Sequence, residues 1–322
     1  MTKKLKIFVA GHKGMVGSSI VRNLKKKNIN KVFTVDKIRV DLTNQKKVFN
    51  YLNKHKFDQI YIAAAKVGGI YANNTYPAEF IFNNLMIASN IIHGGFLAGT
   101  KKILFLGSSC IYPKYSKQPM HESELLNGYL EPTNEPYAIA KISGIKMCES
   151  YNRQYKSKKL DFRSLMPCNL FGLGDNYHRN NSHVIPALIR KIHDAKTKKK
   201  KFVEIWGSGK VRREFLFVDD LAEICVKYMN LNIKKIKKFS DVMCSHINVG
   251  AGWDLTIEEL AHRISKIISY DGELFFNKKY PDGHPQKLLD VKKIKGLLKV
   301  KYTNFDDALL ISYKDYLRKK LV

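Results

Sequence analysis

The sequence predicts a doubly wound α/β fold, a parallel sheet with helices on both faces, joined to a smaller C-terminal α/β domain. Three observations carry this prediction. Short continuous apolar runs recur at 7–10, 32–35, 59–65 and 103–106, as buried parallel strands require. Lysine-bearing segments of helical period separate them. Glycines or small polar residues follow three of the runs, at the strand ends where open α/β sheets bind ligands.

The first run leads straight into Gly11, Gly14 and Gly17, which open a helix. This G-x-x-G-x-x-G spacing sets bare backbone and a helix N-terminus against a diphosphate, whose charge the N–H groups and helix dipole favour. The bland alternative is a glycine-rich βα turn with no ligand. The second run ends in Asp36, with Lys37 and Arg39 close behind. An acid here takes the ribose 2′-OH of NAD, whereas nearby cations accommodate the 2′-phosphate of NADP, so the signals conflict. Lys13, inside the glycine turn, tips the reading toward NADP(H).

Residues 46–57 read as a helix with Val48, Tyr51 and Leu52 inward, and 59–65 as a strand running into KVGGIYANN, a glycine loop. The run 103–106 stops at Gly107 and is followed by Ser108, Ser109 and Cys110. Tyr137 and Lys141 then stand one turn apart on a helix that starts after Pro136. An ammonium beside a phenol lowers its pKa and makes it a usable proton donor near neutrality. Residues 160–166 form a further strand, and PCNLFG leaves the sheet at the ligand edge. Beyond it come a helix at 183–194, an exposed lysine loop, the strand VEIW, a short strand with a returning helix, the strand INV, a helix at 256–268, the strand ELFFN, the PDGHP turn and two short C-terminal helices. The predicted division is a cofactor domain of 1–168 plus about 214–250, and a substrate domain of about 169–213 plus 251–322.

Composition narrows the function classes. With 322 residues and 44% apolar content the chain has one large or two modest cores to bury. No apolar run approaches a membrane span, and KIFVAG is too short for a secretion signal, so no membrane is expected as partner. Five cysteines, without C-x-x-C spacing, imply neither a disulfide framework nor a metal site and point to a reducing, cytoplasmic setting. A net charge of +29 suits nucleic acid in principle. However, the lysines are spread along the chain, with runs at 25–27, 198–201 and 234–238, and no stacking-aromatic or groove-helix pattern accompanies them, so no specific nucleic-acid partner is expected.

The stretches GHKGMVG, YIAAAKVGGIYANNTYP, FLGSSCIYPK, EPTNEPYAIAK, NSHVIPAL, WGSGKVRREFLFVDD and PDGHPQKLLD closely resemble the GDP-L-fucose synthases, the 3,5-epimerase/4-reductases of the extended short-chain dehydrogenase/reductase family, from about residue 7 to about residue 313. The resemblance implies a Rossmann-type sheet, NADP(H), a GDP-sugar substrate and a homodimer formed through the helix carrying Tyr137. Gly11, His12, Lys13, Gly14, Met15, Val16 and Gly17 would hold the cofactor together with Lys37, Arg39, Asp41, Leu42 and Ala65. Leu106, Gly107, Ser108, Ser109, Lys141, Pro167, Cys168, Asn169, Leu170 and His183 would complete that site.

In the reaction so implied, Tyr137 protonates the C4 oxygen, Lys141 holds the ribose, Ser108 binds the same oxygen, and Cys110 and His183 exchange protons at C3 and C5. Lys191 and Arg213 would grip the diphosphate, Trp206 would lie by the sugar nucleotide, and Asp282 and Lys287 would close the substrate side as a mobile lid. Each residue also has a plainer reading. Cys110 serves equally as a small filler at a strand end, His183 as a helix cap, Trp206 as core, and Lys191 and Arg213 as solvated charge. At the level of function, a colitose-type 5-epimerase/4-reductase, an NADP-binding regulator and a basic RNA-associated protein stand as alternatives. A binding-only protein has no need of Ser108, Cys110, Tyr137, Lys141 and His183 together.

Overall fold

The computed structural model describes residues 4–26, 31–179 and 181–320, so Lys27 of the first lysine run lies outside the described residues. In chain order the first half contains β1 (Lys6–Ala10), α1 (Met15–Lys26), β2 (Lys31–Phe33), α2 (Gln45–His55), β3 (Gln59–Ile62), α3 (Ile70–Thr75), α4 (Pro77–Leu97), β4 (Lys102–Leu106), α5 (Glu135–Gln154) and β5 (Asp161–Pro167). The second half adds β6 (Asn169–Phe171), α6 (Val184–Thr197), β7 (Phe202–Trp206), β8 (Arg212–Arg213), β9 (Phe215–Phe217), α7 (Val218–Asn230), α8 (Ile233–Ile236), β10 (Ile247–Val249), β11 (Leu255–Thr256), α9 (Ile257–Ile268), β12 (Glu273–Asn277), β13 (Gln286–Lys287), α10 (Lys292–Leu297) and α11 (Phe305–Lys320).

Six strands form one parallel sheet in the order β10-β5-β4-β3-β1-β2. The chain runs from β1 outward to β2 and then crosses back to β3. A crevice therefore opens beyond the C-terminal ends of β1 and β3, where such sheets hold their ligands. Helices α1 and α7 pack together on one face, and α4 lies against α2 and α5 on the other, giving the doubly wound arrangement. The central strands read as unbroken apolar runs because both faces are covered: Phe8, Ile60, Ile103 and Leu165 have essentially no exposed surface. Burying each such side chain contributes about 1.5–3 kcal/mol.

A second apolar core joins α6, α9 and α11 to β7 and β9. Here β6 pairs with β9, β7 with β12, and β8 with both β11 and β13. Helix α9 begins with a capping box, in which the Thr256 hydroxyl accepts from the Glu259 N–H and the Glu259 carboxylate accepts from the Thr256 N–H. Leu289, Val291, Ile294 and Leu297 pack on the sheet's core rather than on this second one.

The structure corrects several expectations, and the strand read at 59–65 is one, since β3 ends at Ile62. The KVGGIYANN segment is not all loop, since α3 forms within it, capped by Gly69. β2 covers 31–33 rather than 32–35: its partners on β1 are Lys6, Ile7 and Phe8, and past Phe33 the chain leaves the ladder to carry Asp36 toward Lys13. The last helix, α11, is 16 residues long and not short. Finally, α4 is long and apolar enough by length and composition to cross a membrane, contrary to the expectation that no run is. Its apolar surface packs against α2 and α5, which is how a core helix acquires the same composition.

Candidate active site

One cleft of about 2760 Å³ runs from the glycine turn after β1, across the ends of β3 and β4, to β7 and β13. Its volume exceeds what a single drug-sized ligand occupies, roughly 300–1,000 Å³, and leaves room for a dinucleotide beside a sugar nucleotide. Of the residues picked from sequence, Gly11, His12, Lys13, Gly14, Met15 and Val16 line it, with Lys37, Asp41, Leu42, Ala65, Leu106 and Gly107. Ser108, Cys110, Tyr137, Lys141, Pro167, Cys168, Asn169, Leu170 and His183 follow, then Lys191, Trp206, Arg213, Asp282 and Lys287. Three are set apart. Gly17 packs beneath the turn, Ser109 is buried under the strand end, and Arg39 lies toward Tyr51 and His55 instead of the cleft.

The glycine turn fits a diphosphate for a steric reason. Gly11 has φ +86°, and a Cβ there would lie 2.6 Å from the Ala64 backbone. A Cβ on Gly17 would stand 2.1 Å from the Gly11 carbonyl oxygen, so the helix could not approach β1. With both glycines in place the first N–H groups of α1 face the cleft unobstructed. At the end of β2, Asp36 accepts from Lys13 at 2.7 Å, and His12 lies 3.3 Å from the same carboxylate. The Lys13 hydrogen bond holds the Asp36 carboxyl below its ordinary range. A carboxylate so compensated repels a second anion less, which resolves the conflict between Asp36 and its cationic neighbours.

At the end of β4, Ser108 is in extended conformation and its hydroxyl accepts from the Cys110 N–H at 3.3 Å. This local bond turns the chain and presents both side chains to the cleft. Pro136 stands in the first turn of α5, and the Tyr137 that follows it faces the same cleft as Ser108. Phe80 of α4 meets the Tyr137 ring edge-on, with centroids 6.3 Å apart. Lys141 is buried, donates to the Leu106 carbonyl at 2.8 Å and lies 5.6 Å from the Tyr137 ring centre.

The expectation that Lys141 lowers the Tyr137 pKa is not met. Burial drives the phenol up, Cys110 nearby adds to the rise, and the neighbouring Ser108 hydroxyl offsets only part of it. Burial also brings the Lys141 ammonium down to about 8. The ammonium is engaged by the Leu106 carbonyl, so desolvation governs both groups. The result is a neutral phenol, the form that donates a proton.

His183 stands at the N-cap of α6, but its side chain makes no capping bond. The helix-cap reading therefore has no support; the side chain opens into the cleft, whose walls desolvate the imidazole and lower its pKa, which favours the neutral form a base needs. Trp206 is 60% exposed, which excludes the core reading; it stacks on Tyr280 at 4.5 Å, and the Lys191 ammonium sits 4.8 Å over its ring. Arg213 and Lys287 are paired residues of β8 and β13, facing the cleft together. Asp282 accepts from the Ser208 N–H at 2.9 Å and hydroxyl at 2.6 Å, tying the PDGHP segment to the turn after β7. Sequence reasoning missed Phe80, Asn73 and the Lys66–Glu79 ion pair, all on the cleft wall. The ANN that follows the double glycine was the available signal for Asn73.

The model of the NAD dependent epimerase/dehydratase family matches residues 7–250. The chain belongs to that family. Among its curated members, the chain is 50% identical to GDP-L-fucose synthase of Escherichia coli over 98% of both chains. It is 40% identical to GDP-L-colitose synthase of Yersinia pseudotuberculosis over 89% of each. Among solved structures of the fold, a GDP-D-glycero-L-gluco-heptose synthase from Campylobacter jejuni, in the presence of NADPH, superposes with a TM-score of 0.90 at 35% identity, covering 98% of this chain and 99% of the other.

Proposed function

We propose that the protein converts GDP-4-keto-6-deoxy-D-mannose to GDP-L-fucose, inverting C3 and C5 and reducing C4 with NADPH. The observation that carries the reading is that Ser108, Cys110, Tyr137 and His183 share one cleft with the glycine cradle. Bound NADPH supplies a hydride to C4. Tyr137, a neutral phenol, gives its proton to the C4 oxygen, and Ser108 holds that oxygen by hydrogen bonding. Lys141, fixed by the Leu106 carbonyl, anchors the ribose.

The ketone at C4 acidifies the C–H bonds at C3 and C5. Inversion needs one group to take a proton from one face and another to return a proton on the opposite face, and Cys110 and His183 form that pair. Lys191 and Arg213 receive the diphosphate, and Asp282 and Lys287 close the substrate side, Asp282 holding its segment through Ser208. A division into a cofactor lobe, 1–168 plus 214–250, and a substrate lobe, 169–213 plus 251–322, follows the two apolar cores with two departures: Phe215 and Phe217 of β9 pack in the second core, and residues 289–298 return to the first. The α4–α5 pair is the surface through which we expect two copies to associate in the cytoplasm.

Cofactor choice follows from Lys13. Replacing it removes the shorter of the two contacts to Asp36 and one cation for the 2′-phosphate, so Lys13→Ala is expected to raise KM for NADPH about tenfold, in keeping with loss of one charged hydrogen bond, and to leave KM for NADH little changed. Steady-state kinetics with both cofactors measure this. An unchanged preference would mean that Asp36 alone shapes the pocket.

Turnover in D₂O tests the reaction as a whole. The reading requires solvent deuterium at both C3 and C5 of an L-fuco product, seen by mass spectrometry and proton NMR. Label at C5 alone, with poor use of the fucose precursor, favours a colitose-type enzyme. Product without carbon-bound label identifies a plain 4-reductase, and absence of turnover identifies a binding protein.

A further inference from the structure

The mechanism leaves unused one buried polar residue on the cleft wall. Asn73, in α3, is 7% exposed. Its amide nitrogen donates to the Gly68 carbonyl at 2.9 Å and the Gly69 carbonyl at 3.0 Å, and its backbone N–H donates to Gly69 as well. The amide oxygen is buried with no hydrogen-bond partner among the described residues. A buried acceptor left unpaired costs stability, so the side chain has been set for what its donor end holds.

That donor end holds the Gly68–Gly69 turn, and the turn touches both halves of the site. A methyl group on Gly68 would lie 3.2 Å from the tip of Phe80, the ring that meets Tyr137 edge-on. A methyl group on Gly69 would lie 3.4 Å from the carbonyl oxygen of Ser182, the residue before His183. Peptide planes flanking two adjacent glycines have wide backbone freedom and would drift here unless held. Asn73 removes that freedom by fixing both carbonyls from one side chain.

We propose that Asn73 is a positioning residue that sets His183 relative to Tyr137 by clamping the Gly68–Gly69 turn between them. This rests on the roles given above to His183 and Tyr137. A displacement of about 1 Å in a proton-transfer pair is enough to cost up to about 10²-fold in rate, whereas binding of the nucleotides, made elsewhere in the cleft, is spared.

The test uses the full chain loaded with NADP⁺, which permits proton exchange without reduction, and follows deuterium entry at C3 and C5 of the 4-keto GDP-sugar. Asn73→Ala is expected to lower the exchange kcat about tenfold, with KM for the GDP-sugar and the affinity for NADP⁺ within about twofold of the parent. Asn73→Ser, which keeps one donor, is expected to recover part of the loss, and it carries the comparison if Asn73→Ala does not fold. Exchange at the parent rate in Asn73→Ala overturns the proposal. A loss confined to KM, or a serine variant no better than alanine, overturns it too, because either result describes general loosening of the wall. If the parent protein itself neither exchanges nor oxidises NADPH, the functional reading fails, and that outcome is separate from an active parent with an indifferent Asn73.

Discussion

Tyr137→Phe is expected to lower kcat for NADPH oxidation by about two to four orders of magnitude, the usual contribution of a positioned general acid. The substitution removes one oxygen and keeps the ring, so the edge-on contact with Phe80 survives and the fold is undisturbed. Affinity for NADPH and for the GDP-sugar is expected to change little, because the lost proton transfer belongs to the transition state. Solvent exchange at C3 and C5 is expected to persist, since Cys110 and His183 are untouched. A variant that oxidised NADPH at the parent rate would remove Tyr137 from the reaction and return the phenol to a packing role.

Cys110→Ala separates the two chemistries from the other side. Deuterium entry is expected to fall by about 10²–10⁴ while NADPH oxidation continues slowly on the un-epimerised ketone, giving a product that is not L-fuco. The thiol is only half-buried and its loss opens little space, so stability is expected to hold. NMR of the product decides: near-normal formation of the L-fuco sugar by Cys110→Ala would falsify the assignment of the thiol to proton transfer.

The sheet and most of the cleft were legible because their signals are local. A strand that is buried on both faces must be apolar throughout, and a helix laid over a diphosphate must have glycine where Gly11 and Gly17 stand; both rules act over fewer than twenty residues. Tyr137 and Lys141 share this property, being one helical turn apart. What the sequence hid depends on distant parts of the chain. The direction of the Tyr137 pKa follows from burial beneath α4 and from the Leu106 carbonyl that engages Lys141, neither of which the spacing of the two residues encodes. Arg39 and Lys37 are near neighbours in sequence, yet only Lys37 lines the cleft, because the turn after β2 sends Arg39 toward Tyr51. Helix α3 was hidden by the two glycines before it, which read as a loop until the Asn73 side chain is seen to hold their carbonyls. The stack of Trp206 on Tyr280 joins residues more than seventy positions apart and has no local signature.

The path of the chain between its two cores bears on how the protein is made. The sheet's last strand, β10, arrives only at Ile247, and the residues that seal the same core run from Leu289 to Leu298. During synthesis a ribosome must release nearly the whole chain before the first core can close, so no N-terminal portion is a natural folding unit ahead of the rest. Until then the side of β10 on which α10 packs stays uncovered, and truncation even a short way before α10 is expected to leave an insoluble product in place of a smaller working domain.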